Sequence, residues 1–235
     1  MKTFLFLMLL SSTVFAGTWV SNKDHSEVMF QVPYMTVSEL SGRFGDYESR
    51  VDFDDKTGEP SNIQVTIESA SIDTGNKLRD GHLKGVEFFE SSEYPQMIFI
   101  GKKLTKVNAT TFKVMGSLKI KNITKDIVVD FTTTASVKDT WGYQNRFIKF
   151  NSKINRKDFK ITWNKTLDEQ KYLVGDEITF KGVFQMQPID GKTPPSKHMI
   201  PDTQYIRDRE QKLRNGEKDE ESEFMKKIRG LINGK

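Results

Sequence analysis

Arg79, Asp80 and His82, close together in Arg79-Asp80-Gly81-His82-Leu83-Lys84, have the side chains best suited to acid–base chemistry in this chain. An imidazole beside a carboxylate can pass a proton near neutral pH. The same pair could form half of a metal site, but such a site needs three or four ligands. The only other histidines, His25 and His198, sit at no ligand-like spacing from His82. The structural reading is favoured: Asp80 caps a helix and His82 hydrogen-bonds to a neighbouring loop. His25 and Ser26 are neighbours on a strand pattern, so their side chains face opposite ways and form no nucleophile–base pair. Gly-x-Ser-x-Gly, phosphate-loop and dinucleotide fingerprints do not occur, and there is no cysteine. Asp52, Asp54 and Asp55 crowd a turn, where a bound calcium is one reading and a solvated turn the favoured one.

The elements that must position these residues are mostly strands. Between Ser26 and Gln187 apolar residues recur with period two: Val28, Phe30, Val32 and Tyr34 share a face, as do Phe112, Val114, Gly116, Leu118 and Ile120. Ile63, Val65 and Ile67 repeat the pattern, and so do Ile127, Val129 and Phe131, Ile148 and Phe150, and Ile178, Phe180 and Phe184. Turn signals between these runs suit an antiparallel meander, and about eight strands suffice to close a barrel without exposed edges. One helix interrupts, from about Asn76 to Phe89, with Leu78, Leu83, Val86 and Phe89 at roughly helical spacing. The fold expected is all-β: an eight-stranded antiparallel lipocalin-like barrel with one short helix packed over an end, followed by a helix-prone charged tail.

Residues 1–16 read as a signal peptide. Lys2 precedes an apolar run from Phe4 to Leu10, too short to span a bilayer, and Ala16 offers a small residue at the cut. Residues 17–190 form the barrel, and 191–235 a proline-containing linker and charged extension. From Gly191 onward there are 11 Lys or Arg against 8 Asp or Glu, whereas residues 17–190 hold 24 of each. A neutral body argues against nucleic acid as a partner. Phe224, Ile228 and Leu231, flanked by Lys226, Lys227 and Arg229, form a basic amphipathic turn suited to a membrane surface or a protein partner, although a solvated or disordered tail is the favoured reading.

A barrel of this size is filled by side chains or holds one small ligand, and alternation alone does not separate the two. The motifs favour a ligand. Trp19, His25-Ser26-x-Val28-x-Phe30-x-Val32 and Ser38-x-x-x-Gly42-x-Phe44 resemble the opening of the YceI-like family, periplasmic lipocalin-like proteins that bind polyisoprenoids or similar lipids. The match runs on through Ser71-Ile72-Asp73-Thr74-Gly75, Arg79-Asp80-x-His82-Leu83, Phe88-Phe89, Tyr94-Pro95, Phe99, Gly116-x-Leu118-x-Ile120, Ile123-Thr124-Lys125 and Ile154-Asn155-Arg156-x-Asp158-Phe159. Two positions depart from the family pattern: Tyr34 stands where a histidine is common, and Lys160 where a glycine usually follows the Asp-Phe pair.

The resemblance implies a non-catalytic periplasmic protein that binds, transports or stores an isoprenoid, such as a quinone tail or polyprenyl lipid, in an apolar tunnel. It needs no metal or other cofactor. Phe30, Val32, Leu118, Phe131, Phe150, Phe180 and Phe184 would line the tunnel, with Phe99 and Phe159 among the lipid contacts. Met35, Phe44, Phe88 and Phe89 would sit near its mouth. Two other readings stay open: an enzyme using Asp80 and His82 as its acid–base pair, and a scaffold docked on a membrane or partner through the tail. A homodimer is also left open.

Overall fold

In a computed structural model of the chain, residues 16–140, 142–165 and 173–189 are described. The signal-peptide expectation, apart from its last residue, and the linker and tail expectation both fall outside them.

Eleven strands form one antiparallel sheet that closes on itself. They are β1 (Ala16–Tyr34), β2 (Ser38–Phe44), β3 (Tyr47–Asp54), β4 (Pro60–Glu68), β5 (Ile72–Asp73), β6 (Gln96–Lys106), β7 (Thr111–Ile120), β8 (Ile123–Thr133), β9 (Val137–Lys138), β10 (Gln144–Asn155) and β11 (Glu177–Pro188). Eight make the ring, in the order β1, β3, β4, β6, β7, β8, β10, β11, and β11 pairs back onto β1. On the other edge of β1, β2 and β3 lie end to end, with Phe44 opposite Val28 and Val51 opposite Trp19. The short strands β5 and β9 add to β2 and β10.

Closure depends on a seam that is not uniform. Trp19 to Asn22 pair with Pro188 to Gln185, and pairing resumes at Glu27 opposite Val183 after a bulge in β1. Ser26 Oγ accepts from the Gln185 amide inside that bulge. Outside the seam an amide network crosses three strands: Asn22 donates to Gln187 Oε1, while Gln185 and Gln187 both donate to Asn145 Oδ1 at 2.7 and 3.0 Å. These amides are buried on what would otherwise be a solvent face, and each hydrogen bond offsets the cost of that burial.

The helix, α1, spans Lys77–Leu83 and is shorter than the spacing predicts. Asn76, not Asp80, is its cap, accepting from the Leu78 and Arg79 amides. After Leu83 the chain leaves the helix through turns, so Leu78 and Val86 are exposed, at 89% and 72%, while Phe88 is buried. The helical spacing assigned to these four residues does not describe one packed face.

A 3-10 turn at Arg156–Phe159 ends in Lys160, whose φ of 56° places it in the left-handed region. This explains the departure noted in the sequence: the position commonly held by glycine needs a backbone that a side chain disfavours by about 1–2 kcal/mol. Replacing Lys160 by glycine is expected to raise stability by about 0.5–1 kcal/mol, part of the strain relief being lost to the freer unfolded chain. Thermal melting of the two proteins would read this as a rise of about 1–4 °C.

Candidate functional site

Alternation places one side chain in two from each ring strand inside the barrel, and those side chains enclose an apolar cavity of about 100 Å3. Five phenylalanines, Phe99, Phe131, Phe150, Phe180 and Phe184, lie on its wall with Leu118. More valines and isoleucines than phenylalanines line it, Val65, Ile127, Val129 and Ile148 among them. The same period-two alternation marks these branched residues as inward-facing. A cavity lined this way stays dry and takes apolar molecules in preference to water.

The other expected lining residues stand elsewhere. Phe30, Phe44, Phe89 and Phe180 pack against one another, with ring centroids 5.5–6.4 Å apart, in a plug between the cavity and α1. Phe30 therefore stands in this ring cluster and not on the wall of the cavity. Gly42 makes the plug fit, because a Cβ there would lie 2.3 Å from the Phe30 ring. Val32 is half-buried against the core, and Phe159 is buried, but neither reaches the cavity. Met35 lies in the tight β1–β2 turn, where it and Thr36 both have positive φ, and it is 42% exposed.

Over the plug sits the lid formed by α1 and its flanks. Asp80 accepts from the Thr74 amide at 2.9 Å and its hydroxyl at 2.6 Å, while Arg79 donates to Thr74 Oγ1 and to its carbonyl oxygen. His82 Nε2 meets Glu87 Oε2 at 2.7 Å and packs edge-on against Phe88 and Trp163. Asp80 and His82 thus serve different partners, and the geometry of an acid–base pair is not present. Phe88 lies with this ring cluster, on the lid side of the plug.

Arg156 anchors the loop that carries Trp163. Only 4% of its side chain is exposed, and its guanidinium donates to the carbonyl oxygens of Ile161, Trp163 and Gly175 and to Asp176 Oδ1. Burial lowers its pKa from the ordinary value and Asp176 opposes that shift. In the sequence Arg156 is a motif position without visible partners, since these lie up to twenty residues away.

At the opposite end Arg146 closes the floor, its guanidinium carbon 5.3 Å from the Trp19 ring and 4.8 Å from Phe53. Tyr47 fills the wall near the bulge in β1. Burial pushes its phenol up to about 12, helped by Glu27 and Asp24.

The acidic turn is spent on itself. Asp54 accepts from the Lys56 and Thr57 amides, chiefly the latter, and these bonds hold its pKa below the usual carboxylate range. Asp52 accepts from Thr18 and Asn62. No group of three or more His, Asp or Glu side chains suited to a metal gathers among the described residues.

The pattern of the YceI-like domain matches residues 19–186, the whole ring and its lid. The chain belongs to the YceI-like family. Among its relatives, a UPF0312 protein of Yersinia pestis is 30% identical over 158 residues, covering 66% of this chain and 82% of the relative. The solved YceI protein of Campylobacter jejuni is 33% identical and covers 65% of this chain and 86% of its own, with a TM-score of 0.56. Two more distant structures share the fold: BcnA of Burkholderia cenocepacia, at 22% identity and TM-score 0.61, and a polyisoprenoid binding domain from Saccharophagus degradans, at 12% and 0.53. They cover 71% and 74% of this chain and 98% and 99% of their own.

The YceI-like lid depends on Arg156, because removing it takes the donor from the buried Ile161 carbonyl oxygen and from the partly buried ones of Trp163 and Gly175, while Asp176 is left with Lys157. Arg156→Ala is expected to cost about 3 kcal/mol or more, and Arg156→Lys to recover little of it, an ammonium being unable to fork across these acceptors. Urea unfolding of the three proteins checks both statements.

Proposed function

We propose that this protein binds a long-chain isoprenoid or similar lipid inside its barrel and carries or stores it in the periplasm without chemical change. The observation that supports this reading most is the cavity wall, which is almost entirely carbon. Each buried CH2-sized group contributes about 0.8 kcal/mol, so a five-carbon isoprene unit offers roughly 4 kcal/mol before the costs of ordering. A few units therefore give useful affinity without a salt bridge. A chain longer than the cavity would run toward the lid, turning the rings of the plug aside.

Other features agree with a carrier. The Saccharophagus degradans domain of the same fold is described as polyisoprenoid binding. Asp80 and His82, the candidates for catalysis, are engaged in holding the lid. Export by the segment 1–16 would place the barrel between two membranes, and the basic turn around Phe224 to Leu231 would let the tail touch one of them.

Organic extraction of the purified protein followed by mass spectrometry should recover a long-chain lipid in near-stoichiometric amount. Val129→Trp, which fills the cavity from its wall, should lower that yield several-fold while the protein still folds. An empty extract from the parent protein that also takes up no added isoprenoid would overturn the proposal.

A further inference from the structure

The carbon wall has two polar interruptions, Ser49 and Ser152. Ser152 Oγ donates to the Val128 carbonyl oxygen at 2.8 Å, so its hydrogen bond is made. Ser49 is different: it is 1% exposed, faces the cavity, and its Oγ has no partner. An unmatched buried hydroxyl costs on the order of 1–3 kcal/mol, and alanine would occupy the place without that cost.

Its surroundings say which chemistry would match it. The Ser49 amide donates to Ser21 Oγ, Ser21 stands opposite Met186, and Met186 stands opposite Arg146. Residues paired across strands share a face, so Arg146, Met186, Ser21 and Ser49, on four neighbouring strands, are all directed inward, with Val51 of the cavity wall lying between Ser49 and Phe53 at the floor. Arg146 lies across the floor over Trp19 and Phe53, with Ile148 of the cavity wall as the next inward residue above it. Its Nη1 reaches only the Thr134 carbonyl oxygen at 3.4 Å, and its buried Nε has no acceptor. Gly58 covers the guanidinium, leaving 3.1 Å between Nη1 and the place of a Cβ, and the charge of Asp55 acts on it as well. No carboxylate lines the cavity itself. A guanidinium can only donate, whereas a hydroxyl can also accept. One unmatched hydroxyl on a wall without a carboxylate, in a barrel whose floor carries a fixed positive charge, suits an oxygen acceptor and disfavours a cation.

We infer that the cavity wall at Ser49 is an oxygen-acceptor subsite, where Ser49 Oγ donates to a hydroxyl, carbonyl or ether oxygen of the ligand. The inference rests on the lipid-binding reading and deepens it. The ligand is an amphiphile whose oxygen lies at Ser49 and whose hydrocarbon fills the rest of the cavity. A bare hydrocarbon fills the same space but leaves Ser49 unmatched.

The test uses delipidated full-length protein and three fifteen-carbon isoprenoids: farnesane, farnesol and farnesylamine. Ser49→Ala should weaken farnesol binding up to about tenfold and leave farnesane binding unchanged, which also serves as the control for an intact cavity. Ser49→Cys, which keeps the volume with a weaker donor, should show the same selective loss. Farnesylamine should bind the parent protein more weakly than farnesol. Equal effects of Ser49→Ala on farnesane and farnesol, or no effect on either, overturn the subsite while leaving lipid binding in place. Failure of all three probes to bind the parent protein overturns the lipid reading itself, and the subsite with it.

Discussion

Strand β1 has to satisfy both of its edges, and everything inside the barrel depends on that. Its hydrogen bonds to β11 on one side and to β2 and β3 on the other turn a twisted sheet into a ring without free edges. The contacts join the two ends of the fold, so their loop-closure cost is met only when the whole meander is in place. Close approach at the seam is what Gly182 permits: a Cβ there would lie 2.1 Å from the Glu27 carbonyl oxygen and 2.8 Å from the Phe150 ring. The amide network of Asn22, Asn145, Gln185 and Gln187 reinforces the same place from outside.

A closed ring sorts its residues by parity, and neighbouring side chains then have opposite fates. Val129 lines the cavity, whereas Val128 is half-exposed on the outer surface beside Met115. Branched aliphatic side chains line the middle, aromatic rings close the lid end, and a stacked cation closes the floor. The molecule thereby has an interior too apolar to hold water, with Ser49 and Ser152 as the polar residues of the cavity wall. The proposed function follows from this sorting more than from any reactive side chain.

Much of this order is legible in the sequence. Period-two runs such as Phe112-x-Val114-x-Gly116-x-Leu118 mark inward faces, and the motifs from Trp19 to Phe159 mark the family. Height along the barrel is another matter, since alternation reports which way a residue points and not how far along it sits. Phe30 and Phe180 share an inward parity, yet Phe30 belongs to the plug and Phe180 reaches the cavity as well. The helix ended early because polar contacts at its start, from Asn76 and Asp80, are local, whereas nothing in Leu78 or Val86 finds an apolar partner. Arg156 and Ser49 were invisible for opposite reasons: one gathers partners distant in the chain, the other matters because it has none. Lys160 was flagged as a departure from the family, and only its positive φ gives that departure a physical meaning.

The central claim is that a hydrocarbon chain lies inside the barrel, against the inward residues alone. Methyl-labelled NMR of the delipidated protein during titration with farnesol tests it directly. The account predicts shift changes and intermolecular contacts at the methyl groups of Ile63, Ile127 and Val129, with Ile100, Met115 and Val128 on the outer face unmoved. Changes confined to those outer residues, or none at saturating ligand, would contradict it.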